Sequence, residues 1–173
     1  MVLRHTWLGL CLLLVSSLVQ AALTIEITQR LDDALPIAVV PFGGISAGDN
    51  TGNIIRADLD RSGRFRSLDT AALPGRPSSS AEMLPGVWQN VAADLVVIGQ
   101  ASKTADGRYS FRYELLKKGG LERVLGETFT VDASRWRDAA HYISDRIYKQ
   151  VTGEPGVFST KILYVNQYKR DGK

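Results

Sequence analysis

The chain's 173 residues leave room for one domain with a short appendage. Apolar residues make up 45% and charged residues 23%, proportions that exclude wholesale disorder, a collagen-like repeat and a disulfide-stapled miniprotein. The 21 lysines and arginines are scattered among 18 acids for a net charge of +3, so the clustered basic footprint of a nucleic-acid binder is missing.

Residues 1–21 have the three parts of a secretory signal peptide. Arg4 and His5 give a positive start, an apolar run follows over residues 7–19, and the small Ala21 precedes the expected cut. The run is shorter than the roughly 20 residues of a spanning helix. A cleaved leader and an exported mature chain are therefore expected. Cys11 is the only cysteine and sits in mid-run, not behind small residues at its end as a lipidated cysteine does. Its removal leaves a mature chain without thiols, which suits an oxidising compartment and provides no thiolate nucleophile or metal ligand.

Leu23, Ile25 and Ile27 alternate with Thr24, Glu26 and Thr28, the period-two pattern of a short half-buried strand. Residues 36–42 (PIAVVPF) are a continuous apolar run, expected as a strand buried on both faces. Residues 43–52 (GGISAGDNTG) are expected as a flexible loop, with Asp49 or Asn50 capping a helix over 53–62. Ile55, Leu59 and Ser62 share a face of that helix, and Gly63 suits its end. Residues 65–68 make a short strand. Residues 73–86, rich in Pro, Gly and Ser, make a surface connection with one helical turn near 85–91. Residues 93–102 (ADLVVIGQAS) form a second buried strand. Asp106-Gly107 signals a hairpin, after which Tyr109, Phe111, Tyr113 and Leu115 alternate with polar residues. Gly119-Gly120 marks another turn, and residues 124–131 another strand. Residues 134–152 are the clearest helix, with Trp136, Ala140, Ile143, Ile147 and Val151 on one face, Asp132 or Ser134 placed to cap it, and Gly153 at its end.

This order predicts an α/β fold: a two-layer or three-layer sandwich of a mixed sheet of about five strands with two main helices. The last three strands must pair antiparallel, because their turns are too short for crossovers. Residues 161–165 (KILYV) have strand composition with nothing behind them to pair with. They are expected to open a second, truncated domain.

The chemical motifs are sparse. Gly43 and Gly48 have phosphate-loop spacing, but Asp49 stands where the lysine belongs. His141 is the one histidine outside the leader, expected at the surface or flank of its helix. A zinc site would have to rely on carboxylates, and no G-x-S-x-G elbow accompanies His141 for serine chemistry. Asp58 and Asp60 alternate with Arg56 and Arg61, expected as an exposed helix face with an Arg56–Asp60 surface pair. Trp88 and Trp136 are expected in the core, Trp88 with interface anchoring as its alternative. No catalytic, cofactor or metal site and no small-molecule substrate is expected. The fresh chain end left by cleavage, residues 22–28, is the candidate binding element: a terminal strand can pair with its own sheet or with another protein.

The blocks PIAVVPF (36–42), ADLDRSGRF (57–65), WQNVAADLVVIGQ (88–100) and AHYISDRIYKQVTGEPGVFSTKILYV (140–165) resemble the TolB family, the periplasmic component of the Tol–Pal system of Gram-negative envelopes. The resemblance runs from about residue 22 to the end of the chain. It implies a non-enzymatic periplasmic interaction module supporting envelope integrity and cell division. It implies an N-terminal α/β domain over 22–152, a linker over 153–160, and the orphan first strand of a β-propeller in 161–173. It also implies that Ala22, Leu23, Thr24, Ile25, Glu26, Ile27 and Thr28 contact TolA, the arm anchored in the inner membrane. The lipoprotein Pal would be bound by the propeller, which this chain lacks. Two rival readings are a periplasmic hydrolase, for which His141 alone is on offer, and an activator domain of cell-wall synthases, against which the missing lipidation cysteine argues.

Overall fold

The computed structural model describes residues 34–44, 46–117 and 122–161, without the side chains of 46–50. The two apolar runs lie side by side at the middle of one sheet. β1 (Leu35–Val39) pairs parallel with β4 (Leu95–Lys103), Val39 opposite Val97. β3 (Phe65–Ser67) flanks β1 in parallel. β5 (Tyr109–Lys117) and β6 (Arg123–Val131) continue from β4 as an antiparallel meander. The order is β3-β1-β4-β5-β6, and the two-residue β2 (Gly43–Gly44) joins β4 as a sixth strand. The mixed α/β sheet and the antiparallel meander are as the sequence predicts. The first hairpin turns where Asp106-Gly107 predicts, with Gly107 at φ 84°; the Gly119-Gly120 turn lies outside the described residues.

Two long helices cover one face of the sheet. α1 (Ser46–Arg61) and α3 (Trp136–Thr152) pack against each other and bury Ile55, Leu59, Ala140, Ile143 and Ile147 over Ile37, Val39, Val97, Tyr113 and Leu115. A short helix, α2 (Pro85–Trp88), belongs to the opposite side. There Met83, Trp88 and Ala93 close over Ala38, Val96, Ile98 and Leu116. The described residues thus form a helical layer, a sheet and a thin cover of irregular chain. Trp88 is buried in that cover, and Trp136 is half-buried at the start of α3.

Several local expectations are corrected. Residues 46–52 are not a flexible loop: α1 begins at Ser46, so Asp49 and Asn50 stand inside the helix and do not cap it. Gly48 and Gly52 disguise this turn, since glycine disfavours helix. Gly52 is there for close approach, because a Cβ on it would lie 3.2 Å from the carbonyl oxygen of Val40, just past β1. Neither Asp132 nor Ser134 caps α3, which is entered through a 3-10 turn at Ala133–Arg135. The Arg56–Asp60 pair does not form. Arg56 donates to Asn53 Oδ1, and Asp60 accepts the Ser67 backbone N–H at 2.8 Å, tying α1 to β3.

Candidate functional site

Asp58 departs furthest from expectation. It is not on an exposed face but at the seam between α1 and α3, with its side chain 3% exposed. His141 Nδ1 lies 2.7 Å from Asp58 Oδ2. Ser144 Oγ donates to the same oxygen at 3.0 Å, and Arg61 Nη1 donates to Oδ1 at 3.1 Å. Spacing explains the convergence. Asp58 and Arg61 are three apart on α1, and His141 and Ser144 are three apart on α3, so each pair shares a helix face. A buried carboxylate needs this many partners to hold its charge away from water.

An acid on the Nδ1 of a histidine is half of a serine triad, whose hydroxyl sits on the other ring nitrogen. Here Ser144 bonds the acid and the Ala140 carbonyl instead, and it is fully buried. No described hydroxyl stands on Nε2. The arrangement is a clamp between two helices. Among the described residues, no group of three His, Cys, Asp or Glu side chains is placed to hold a metal ion.

A second polar cluster holds α3 to the edge strand. Glu127 of β6 points inward, accepting the Tyr113 hydroxyl at 3.1 Å and the Tyr142 hydroxyl at 2.8 Å, with Arg146 Nε at 3.4 Å. Burial pushes the Tyr113 phenol well above its ordinary value, and the Glu127 carboxylate pushes it further. The same two causes raise Tyr142. An inward charge on an edge strand also discourages pairing with another sheet.

A third cluster fastens the chain after α3. Gly153 ends the helix at φ 80°. The following residues then fold back along α3. Asp145 accepts the backbone N–H groups of Phe158 at 2.7 Å and Ser159 at 3.1 Å, and also the Ser159 hydroxyl. Phe158 meets the Tyr148 ring edge-on at 5.7 Å. Gly156 passes so close that a Cβ on it would lie 2.5 Å from Asp145 Cα. Residues 153–160, expected as a linker, are thus docked against α3 as a strap.

The surface carries open grooves. The most voluminous of those described, about 500 Å³, is lined by Leu35, Leu95, Val124 and Val151 with Asp94, Lys117 and Gln150. It lies at the entry of β1. Residues 22–28, the candidate binding segment, fall outside the described residues, as do residues 162–173. His141 and Asp58 were each visible in the sequence, but their pairing was not, since 83 positions separate them. The Asp145 strap carries a signal in the spacing of Gly153, Gly156, Phe158 and Thr160.

A mixed sheet with two helices on one face, internal polar groups engaged in holding those helices, and open grooves outside defines a small α/β domain that presents its surface. The family model of the TolB amino-terminal domain matches residues 23–117, and the chain belongs to that family. It is 40% identical to the Tol-Pal system protein TolB of Alcanivorax borkumensis, over 97% of this chain and 40% of that protein. The crystal structure of TolB from Acinetobacter baumannii matches with a TM-score of 0.63 and 38% identity, over 73% of this chain and 30% of that one. The chain therefore spans less than half the length of these relatives. No helix among the described residues is long and apolar enough to cross a membrane.

Proposed function

We propose that this chain is a non-enzymatic periplasmic interaction module of a Tol–Pal system. In this reading residues 1–21 are removed on export, residues 22–152 form the α/β domain, and 161–173 begin a β-propeller that would carry the Pal surface. The module helps couple the inner membrane to the outer membrane and peptidoglycan, in support of envelope integrity and division. The observation that carries the reading is membership of the TolB amino-terminal domain family. The clamp geometry at Asp58, with a buried serine off the histidine, accords with binding in place of catalysis.

TolA is engaged by residues 22–28, with Leu23, Ile25 and Ile27 as the apolar side of an added strand. When not engaged, the same segment docks on its own domain. The apolar groove at Leu35 supports this. From Thr28 to Ala34 the chain reaches about 20 Å when extended, enough to lay the alternating residues along it. A difference of a few kcal/mol between the two dockings decides which is populated. The test is direct titration of a synthetic peptide of residues 22–28 into the C-terminal domain of TolA. Saturable binding that Ile25→Lys abolishes is expected. A peptide that does not bind overturns the assignment of the segment.

A further inference from the structure

We infer that the groove between α1 and α3 is a docking site for an acidic, partly apolar segment of a partner protein. The groove has a volume of about 240 Å³ and lies outside the Asp58 clamp, which forms its floor. Its rim carries unused N–H groups on Arg61, Arg137 and Asn53. Arg61 spends one nitrogen on Asp58 and keeps its remaining N–H groups, its side chain being 71% exposed. Arg137 is exposed and lies over the Trp136 ring, 5.2 Å from the centroid, with no described carboxylate on it. His141 turns Nδ1 to Asp58, so Nε2 is the ring nitrogen left over, an acceptor in the neutral ring and a donor only in the protonated one. The Asn53 side chain has its oxygen occupied by Arg56, which leaves its amide N–H groups to donate.

No free carboxylate lines the groove. The one carboxylate lining the groove is Asp58, and both of its oxygens are already bonded. A site with two guanidinium groups and no free carboxylate calls for an oxygen-rich anion. The walls narrow the choice. Ile54, Ala57 and the half-buried Trp136 give the groove an apolar side. A free inorganic ion has no use for such a wall, whereas the methylenes of a glutamate and an apolar neighbour in a peptide do. Trp and Arg are also the residue types that anchor protein interfaces. The occupant is therefore a peptide segment with a carboxylate between the two guanidinium groups and an apolar side chain on Trp136.

This inference stands apart from the role of residues 22–28. The experiment titrates the ¹⁵N-labelled protein with the blocked peptide acetyl-Glu-Leu-Glu-Glu-Leu-amide and watches the Trp136 indole, the His141 ring and the α1 amides by NMR. Saturable shifts confined to this groove are expected, with none from the matching Gln-Leu-Gln-Gln-Leu peptide. Arg137→Gln removes a side chain with no ion pair and so keeps the fold; it should weaken binding about fivefold, the scale of one exposed charge pair. Arg61→Gln should do the same. Equal shifts from the glutamine peptide, or unchanged affinity in Arg137→Gln, would overturn the inference. Inorganic sulfate binding as tightly as the peptide would overturn it too, leaving a plain anion site.

Discussion

Asp58 holds its place by being paired, and its partners differ in how much they contribute. The His141 and Ser144 bonds are made at the buried seam, while Arg61 reaches in from solvent. Breaking a buried charge cluster at its acid leaves donors without an acceptor. Asp58→Ala should therefore lower stability by about 3 kcal/mol. Arg61→Gln should cost less than about 1 kcal/mol, since its side chain is mostly exposed. Urea unfolding of the two variants compares them, and equal losses would contradict the clamp. Tyr113 makes a prediction in pH. Its phenol is raised above the ordinary 10.0 in the folded chain, by burial first and by Glu127 second. Above that ordinary value the unfolded chain loses the proton and the folded chain keeps it. The folded state then binds more protons, so its stability falls as pH rises. The contribution is fully present below about pH 10 and is lost on going higher. The urea midpoint should decline between about pH 9 and 11, and Tyr113→Phe should flatten the decline. A parallel decline in both proteins would show that Tyr113 is not its source.

At the scale of elements, legibility followed how strongly each segment's own pattern is written. β1 and β4 were readable because burial on both faces leaves an unbroken apolar run. α3 was readable because Ala140, Ile143 and Ile147 repeat at helical spacing and are indeed buried. The first turns of α1 were not. Gly48, Asp49, Asn50 and Gly52 have loop propensities, yet they are helical, and Gly52 sits where a Cβ would lie 3.2 Å from the Val40 carbonyl oxygen, a close approach no local pattern records. The strap shows the reverse case, in which a motif was visible but its mechanics were not. Asp145 and Gly156 should act together there. Asp145→Ala removes the acceptor of two backbone N–H groups, and Gly156→Ala drives a methyl group into α3. Either change should raise hydrogen exchange at the Phe158 and Ser159 amides at least about tenfold, while the Ile143 and Ile147 amides stay protected. Unchanged exchange at Phe158 would mean that the strap is held by other contacts.

At the scale of the molecule, the sheet is the part that composition and order anticipate best, because alternating elements with one short-turn meander allow few topologies. The polar seam is anticipated worst. Asp58 and His141 come together only once two helices far apart in the chain lie side by side on the same sheet face. Taken separately, an aspartate among arginines and a lone histidine look like surface residues. Placed together, they hold the helical layer closed and set the floor of the groove above them. The described part of the fold thereby presents an apolar groove at its chain entry and a basic groove between its helices. A body of this kind, preceded by a short alternating segment, fits the proposal that residues 22–28 pass between their own domain and a partner.

The measurement that bears most directly on that account is calorimetric titration of the C-terminal domain of TolA with the protein beginning at residue 22, beside the same protein beginning at residue 29. The account predicts saturable binding by the first and none by the second, with both proteins showing the same circular dichroism and the same urea midpoint within about 1 kcal/mol. Equal affinity of the two proteins would contradict it and would move the TolA site onto the α/β body.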